Sequence, residues 1–188
     1  MSLLTQISNI FSKNQSELLV GVSLQHDSIT LCSLPANIPS VINESNDNEI
    51  SDFQKVTVHQ LDYATAIIES PTEWDLMGKC HIVLNAQQSQ IVQVDKPNVP
   101  AAEINGALKW QIKDLVTISP DNMVLDYFDG PILAGGKEKI NVVCSPIDEL
   151  KKIVDAVNQQ NLVVESITIP EFAFANLLPV QNDACLLV

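Results

Sequence analysis

Regular elements follow one another without long interruptions between Ser89 and Pro170, and their order constrains the fold more than any other feature of the sequence. Apolar runs with β-type patterning predict strands at Gln90–Asp95, Met123–Phe128, Lys139–Cys144 and Leu162–Ile169. A helix is predicted between the first two strands and another between the last two. This β-α-β-β-α-β order is typical of an α+β sandwich with both helices on one face of a mainly antiparallel sheet.

Apolar stripes and first-turn residues mark the two predicted helices. Pro100 suits the first turn of the first helix, and Glu103 favours its positive end. The stripe of this helix comprises Ile104, Leu108, Ile112 and Leu115. The second helix is predicted to start at Ser145–Asp148, which has the character of a capping box. Its stripe comprises Ile147, Leu150, Ile153, Val154 and Val157.

The chain before Ser89 predicts a second set of strands. Apolar runs between Leu18 and Leu34 flank the polar cluster Gln25–Ser28, which is the pattern of a β-hairpin. A third strand around Val56 and Val58, a short helix from Asp62 to Ser70 and a buried strand at Cys80–Leu84 follow.

The remaining segments give weaker predictions. The start of the chain predicts an amphipathic helix, residues Pro35–Asp52 a polar loop, and Gly130, Pro131, Gly135 and Gly136 a turn region. A helix at Glu171–Leu178 precedes a strand at Ala184–Val188. Because the chain stops inside an apolar strand, we expect that more protein follows it.

Composition limits the possible functions. The net charge is −13, and all ten basic residues are lysines, so a nucleic-acid partner is not expected. A hydrophobic content of 46% with 18% charged residues indicates a folded chain. No run is long and apolar enough to span a bilayer, and the start lacks the basic region of a secretory signal, so we expect a cytoplasmic protein. The widely spaced Cys32, Cys80, Cys144 and Cys185 predict reduced core thiols.

Motifs for metal binding or catalysis are weak. Cys80 and His81 are adjacent, but neighbouring side chains of a strand point to opposite faces and cannot chelate one ion. His26 and His59 have no ligand-like spacing to either of them. Gly135-Gly136-Lys137 lacks the upstream glycine and downstream hydroxyl residue of a phosphate-binding loop. We therefore predict no metal site and no catalytic residue.

One long run nevertheless points to a family. The segment from Val94 to Pro131, VDKPNVPAAEINGALKWQIKDLVTISPDNMVLDYFDGP, resembles the MshI family of MSHA pilus biogenesis proteins, relatives of the type IV pilus assembly protein PilM. Those proteins belong with the actin-like ATPases, alongside FtsA and the cytoplasmic part of the type II secretion protein GspL. The similarity extends through Ile140–Leu178 and back to the Leu18–Leu34 hairpin, leaving Pro35–Asp52 unmatched.

The resemblance implies a specific division of the chain. Residues 1–88 and 165–188 would form subdomain 1A of the first lobe of an actin-like, ribonuclease H-like fold. Residues 89–164 would form an inserted β-α-β-β-α subdomain 1C. The strand predicted at Ala184 would then open a second lobe, which carries the other half of the family's nucleotide cleft.

The hairpin bears on whether such a relative uses ATP. The family's first hairpin carries an aspartate for magnesium and a glycine beside the phosphates, as in a GIDIGSSS pattern. Here Gly21 is followed by Ser23 at the place of the aspartate and Gln25 at the place of the glycine, and Asp27 in the turn would repel phosphate. We therefore predict that this hairpin does not hold ATP and magnesium and that the chain does not hydrolyse ATP.

Trp110 is the candidate partner-binding residue. On a helical projection it lies away from the apolar stripe and near Glu103, Gly106 and Asp114. One interpretation is that it packs against subdomain 1A. The other follows PilM, in which the cytoplasmic N-terminal peptide of the membrane protein PilN lies in a groove between subdomains 1A and 1C. Under that interpretation Trp110, Glu103 and Asp114 would contact a PilN-like peptide.

The predicted function is a cytoplasmic, non-catalytic scaffold of an MSHA-type pilus assembly platform, docking on inner-membrane proteins without a cofactor. One alternative is an actin-like ATP-binding switch or ATPase, which would need nucleotide affinity despite Ser23 and Gln25. Another is a small-molecule regulatory module, because β-α-β-β-α-β is also the ferredoxin-like order used by many sensors.

Overall fold

The computed structural model of the chain describes residues 18–35, 53–59, 62–69, 78–132 and 138–175. The strands in these ranges are β1 (Leu18–Leu24), β2 (Ser28–Pro35), β3 (Phe53–Thr57), β4 (Gly78–Val83), β5 (Gln90–Asp95), β6 (Met123–Ile132), β7 (Glu138–Pro146) and β8 (Leu162–Thr168). The helices are α1 (Tyr63–Ile68), α2 (Ile104–Gln111), α3 (Ile147–Gln159) and α4 (Pro170–Ala175), with 3₁₀ turns at Ala101–Glu103 and Pro120–Asn122. The predictions for the start of the chain, for the loop after Pro35, for Gly135 and Gly136, and for Ala184–Val188 lie outside the described residues.

The first sheet has five strands in the order β3-β2-β1-β4-β8. The predicted hairpin is confirmed: β1 and β2 pair antiparallel from Leu18 opposite Pro35 to Leu24 opposite Ile29. Alternate residues of these strands are buried, and the buried set includes Val20, Val22, Leu24, Ile29 and Leu31. The predicted helix α1 is also confirmed, and the Asp62 carboxylate caps it by accepting from the Thr65 N–H at 3.1 Å.

The second sheet is antiparallel and has three strands in the order β5-β7-β6. Helix α2 covers one face, where Ile104, Leu108 and Ile112 pack with Val94, Met123, Leu125, Ile140 and Val142. Each fully buried aliphatic side chain in such a core contributes about 1.5–3 kcal/mol. The predicted stripe is wrong at Leu115, which is 59% exposed. Helix α2 ends at Gln111 with Ile112 as its C-cap. The helical spacing that put Leu115 on the apolar stripe therefore does not apply to it.

Strand β8 joins the first sheet and does not complete the second one. The predicted single sheet containing all four strands of the β-α-β-β-α-β segment is therefore wrong. Element order alone does not determine which sheet the last strand joins. In the described part of the chain, the four-stranded sheet required by the ferredoxin-like alternative is not formed.

Two predicted boundaries differ locally. Gly130 and Pro131 belong to β6, which has a register irregularity between Asp129 and Ile132, so they do not form a separate turn. A Cβ atom on Gly130 would lie 2.8 Å from the Lys139 carbonyl oxygen, so only glycine fits this close approach.

Ser145 and Pro146 belong to β7, so α3 starts later than predicted. The Asp148 N–H is capped instead by Asn122 Oδ1 at 3.1 Å.

Contacts between Cα atoms divide the chain into two units. One contains the described residues up to Ile82 together with Ala156–Ile167; the other contains Val83–Asp155 and the described residues from Thr168 onward. The subdomain boundaries implied by the resemblance, 1–88 with 165–188 and 89–164, remain a prediction. A helix long and apolar enough to cross a membrane is not found among the described residues.

The described cysteines are unpaired thiols, as predicted. Cys80 and Cys144 are buried, whereas Cys32 is only partly buried, and Cys185 lies outside the described residues. Burial raises the pKa of the Cys80 thiol from 9.0 to about 12, because desolvation disfavours the thiolate. The pKa of Cys144 is raised for the same reason, although a backbone hydrogen bond with Gln90 acts in the opposite direction.

Candidate functional site

The four hairpin residues singled out in the sequence lie along β1 and in the turn after it. Gly21 and Ser23 lie on the side of β1 away from the core, since Val20, Val22 and Leu24 occupy the buried side. Ser23 pairs with Thr30 of β2 and is partly buried. Gln25 and Asp27 are exposed in the turn.

Hydrogen bonds within the protein occupy several polar groups of this turn. The Gln25 N–H donates to the Ser28 carbonyl at 2.8 Å, and the Tyr63 hydroxyl donates to the Gln25 carbonyl at 2.8 Å. The Ser28 hydroxyl donates to Gln25 Oε1 at 2.9 Å, and the Val58 N–H donates to the Asp27 carbonyl at 2.8 Å. The backbone amide of Gln25 therefore already has an acceptor and cannot meet a phosphate oxygen without breaking that bond.

The side chains of the turn are also poorly suited to binding a magnesium-bound phosphate. Ser23 offers a neutral hydroxyl, whereas Mg²⁺ prefers carboxylate oxygens. The Asp27 carboxylate lies 3.1 Å from the Ser28 hydroxyl and adds negative charge where a phosphate would approach. Groups of three or more His, Cys, Asp or Glu side chains suited to a metal ion are not found among the described residues.

The bonds that Ser28 and Tyr63 make to Gln25 of this turn were not predicted from the sequence. Ser28 is fully buried although it belongs to a polar turn cluster, and Tyr63 starts α1, 38 residues after Gln25. The available signal was the aromatic residue directly after the Asp62 cap, because a buried tyrosine usually finds a partner for its hydroxyl. The sequence does not indicate that this partner is the hairpin turn.

The second candidate region lies on helix α2. Trp110 is 64% exposed and takes no part in the core of its own unit. Gly106 and Glu103 precede it by one and two turns, so they lie on the same side of the helix. A Cβ atom on Gly106 would meet nothing within 4 Å, so the helix backbone beside the indole is open. We call Glu103, Gly106 and Trp110 the Trp110 surface.

Asp114 and Leu115 lie outside the helix that was predicted to carry them. Both follow the end of α2 in a turn where the Leu115 N–H donates to the Ile112 carbonyl at 2.8 Å. Helical projection therefore does not place Asp114 beside Trp110, although both are exposed. Leu115 is exposed, although the sequence had assigned it to the core.

Hydrogen bonds to β5 hold both ends of the turn that follows α2. Gln111 Nε2 donates to the Asp95 carbonyl at 3.0 Å at the end of α2. The Thr117 N–H donates to Gln90 Oε1 at 3.0 Å, and Gln90 Nε2 donates back to the Thr117 hydroxyl. The Trp110 surface is therefore presented by a supported segment, which lowers the conformational entropy that binding would cost.

The Cys80–His81 pair is arranged as predicted for a strand. Cys80 is buried, whereas His81 lies on the outer side with its Nδ1 2.7 Å from the Ser166 hydroxyl. Glu165 lies 3.9 Å from His81 Nε2 and is paired with Lys79 at 3.0 Å. These contacts link β4 and β8 at an exposed surface, where ion pairs contribute about 0–1 kcal/mol.

Comparisons with known proteins find similarity in structure. No protein-family model matches the chain, and no curated protein matches it. The cytoplasmic domain of EpsL, an inner-membrane component of the type II secretion system of Vibrio cholerae, is similar with a TM-score of 0.58 and 15% identity. The alignment covers 81% of this chain and 57% of that one.

The PilM–PilN type IV pilus biogenesis complex is similar with a TM-score of 0.56 and 14% identity, covering 84% of this chain and 48% of the matched one. The chain thus spans about half the length of the solved structures it matches. The mixed α+β fold of this protein fits these neighbours from secretion and pilus assembly.

Proposed function

We propose that this protein is a non-catalytic cytoplasmic scaffold of an MSHA-type type IV pilus assembly platform, and that it docks on inner-membrane assembly proteins through the Trp110 surface. The observation that carries the proposal is the fold shared with the cytoplasmic domain of EpsL and with the PilM–PilN complex. The proposal assigns the chain to the first lobe of an actin-like fold, with subdomain 1C inserted into subdomain 1A. At these levels of identity the shared fold supports the class of protein, and the local chemistry must support the role.

The hairpin supports the non-catalytic part of the proposal. A turn that holds ATP needs unoccupied amides aimed at the phosphates and a carboxylate for the magnesium. In this turn the Gln25 amide already donates to Ser28, and Ser23 replaces the carboxylate. The actin-like ATPase alternative would require the turn to open and lose these bonds.

The Trp110 surface supports the docking part. A large exposed indole beside an open stretch of helix offers apolar area and a π face for a partner. Glu103 adds negative charge on the same side of the helix, and Asp114 follows in the exposed turn after it, so a partner segment that carries lysine or arginine is favoured. Segments just inside the inner membrane are commonly rich in these residues.

Titration calorimetry with the cytoplasmic N-terminal peptide of a PilN-like protein tests the proposal. We expect binding that weakens in Trp110→Ala and in Glu103→Gln, with no heat from ATP and magnesium. Phe174→Ser, which removes another exposed aromatic side chain, is the matched control and should bind the peptide like the wild type. Binding of ATP with magnesium would overturn the non-catalytic part of the proposal. Peptide binding that is unchanged in Trp110→Ala would overturn the docking part.

A further inference from the structure

A cavity lies within the unit that contains the second sheet, and its wall is mainly polar. Its volume is about 430 Å³, within the range of small-molecule sites. The segment between β4 and β5 supplies Gln88, the segment between α2 and β6 supplies residues 117–119 and Asn122, and the junction of β7 with α3 supplies Pro146 and Glu149. A cavity lined by amide and hydroxyl groups differs from a dry gap in an apolar core, because it can hydrogen-bond what enters it.

Gln88 is a buried polar side chain in the wall of this cavity, and it is only 7% exposed. Its Oε1 accepts from the Asn85 N–H at 3.0 Å, which fixes the orientation of the amide because an N–H can only donate. Nε2 is therefore the group of this amide that remains for the cavity, and it has no hydrogen-bond partner among the described residues. Since buried polar groups in native proteins are almost always hydrogen-bonded, Nε2 requires an acceptor from outside this part of the chain.

Asn122 has the same arrangement against the first turn of α3. Its Oδ1 accepts from the Asp148 N–H at 3.1 Å, and its Nδ2 has no partner among the residues that the structure describes. Gln90 and Thr117, by contrast, bond to each other through both the oxygen and the nitrogen of the Gln90 amide. The two amides that remain for a ligand, those of Gln88 and Asn122, thus present donors, which select acceptor oxygens.

The first turn of α3 narrows the charge of the ligand. The helix has 13 residues, and the positive end of its dipole follows Pro146 in the cavity wall, which favours a carboxylate. Glu149 in the same wall is exposed and has no ion pair with another described residue, so it opposes a purely anionic ligand. The described residues that line the cavity include no lysine, which disfavours a phosphate. A ligand that carries both a carboxylate and an ammonium group satisfies these features together.

We infer that this cavity binds a small zwitterionic solute of the amino-acid class. The carboxylate of the ligand accepts from Gln88 Nε2 and Asn122 Nδ2 beside the start of α3, and its ammonium group pairs with the Glu149 carboxylate. Such a ligand replaces solvent without loss of hydrogen bonds, because it supplies acceptors for the free donors. The inference does not depend on the proposed function, which rests on other residues.

Two-dimensional NMR of the ¹⁵N-labelled full chain tests the inference on the side-chain amides themselves. The probes are glycine, L-serine and L-glutamine, each with its N-acetylated form, which lacks the ammonium group, and its C-amidated form, which lacks the carboxylate. We expect saturable shifts of the Gln88 and Asn122 NH₂ signals with the free amino acids, and affinities about tenfold lower for both blocked forms. Absence of saturable shifts with all three free amino acids would overturn the inference. Inorganic phosphate that binds as tightly as they do would assign the cavity to an anion and would also overturn it.

Asn122→Asp tests the donors while keeping the cap of α3. It retains an Oδ1 atom for the Asp148 N–H but replaces the NH₂ group by a carboxylate oxygen, so the dissociation constant should rise about tenfold or more. The midpoint of urea unfolding should change little, which separates loss of binding from loss of folding. Wild-type affinity in this variant would remove Asn122 from the site and overturn the inference.

A charge-matched pair of variants tests the ammonium partner. Glu149→Gln should weaken binding of the free amino acids and leave binding of their N-acetylated forms unchanged. Asp155→Asn removes the same charge from another exposed position of α3 and should bind like the wild type. Equal losses in the two variants would indicate general attraction to an acidic protein and would contradict the role of Glu149. Trp110→Ala should also bind the amino acids like the wild type, which keeps this test distinct from that of the proposed function.

Discussion

The turn between β1 and β2 and the Trp110 surface are both exposed, but they differ in how their groups are used. In the turn, the Gln25 amide and carbonyl and the Asp27 carbonyl already bind other parts of the protein. On the Trp110 surface, a large indole stays in solvent beside a glycine with open space around it. The comparison shows that the turn is held by bonds within the protein, whereas the indole on α2 is left exposed.

Replacing Trp110 should produce the largest loss of peptide affinity. If it did not, the contrast between the turn and the Trp110 surface would not hold. A tryptophan anchor commonly contributes about 2 kcal/mol or more to an interface, so Trp110→Ala should weaken binding of a PilN-like peptide by about thirtyfold. Because Trp110 lies outside the core, the midpoint of urea unfolding should hardly change. Calorimetry and urea unfolding of the same preparation measure both quantities, and loss of stability without loss of binding would contradict this role.

Alkaline pH should lower the free energy of unfolding through Cys80, a buried thiol of the five-stranded sheet. Because the pKa of the folded thiol, about 12, lies above the unfolded value of 9.0, the associated stability is complete below pH 9 and is lost as the pH rises towards 12. At pH 10 the loss should reach about 1.4 kcal/mol relative to neutral pH. Urea unfolding of wild type and Cys80→Ala across this range isolates the effect. Parallel curves for the two proteins would show that Cys80 does not cause it.

Removing the Tyr63 hydroxyl should affect the hairpin and leave the docking surface alone. In Tyr63→Phe the Gln25 carbonyl loses its partner, and we expect the free energy of unfolding to fall by about 1 kcal/mol. Peptide binding at Trp110 should be unchanged. A variant with wild-type stability would mean that the hydroxyl bond does not hold the turn, and new ATP binding in this variant would mean that the bond was what excluded the nucleotide.

Gly106→Ala should have the smallest effect, with opposite signs in two measurements. An alanine in this exposed helix position stabilises the fold by about 0.5–1 kcal/mol, because its Cβ meets no other atom. The same methyl group narrows the open backbone beside the indole, so peptide binding should weaken by a few-fold. Gly130→Ala provides the contrast, since its Cβ would collide with the Lys139 carbonyl and destabilise the protein. Unchanged peptide affinity in Gly106→Ala would remove the open backbone from the docking surface.

Local patterns in the sequence predicted most strands and helices, and long-range bonds determined what they missed. Alternating apolar residues were sufficient for the β1–β2 hairpin, and the Ile104, Leu108 and Ile112 spacing was sufficient for α2. The position of β8 beside β4 depends on pairing between distant segments, which no local pattern encodes.

The candidate sites show the same limit. Leu115 was misplaced because α2 ends one residue after Trp110, followed by a turn tied to β5 through Thr117 and Gln90. The sequence identified Gln25 as a residue that replaces a glycine, but it did not reveal the bond from Tyr63, which starts a different element. The exposure of Trp110 could be predicted from the sequence, because the residue lies off the apolar stripe of the helix.

Titration of the ¹⁵N-labelled protein, followed by amide and indole NMR signals, compares the two regions in one measurement. With a PilN-like peptide, we expect shifts of the Trp110 indole and the Gly106 amide. With ATP and magnesium, we expect the amides from Gln25 to Ser28 to keep their positions. Saturable shifts of Gln25 and Asp27 with the nucleotide, together with an unmoved Trp110 indole on addition of the peptide, would show that the hairpin binds nucleotide and that Trp110 does not bind the peptide.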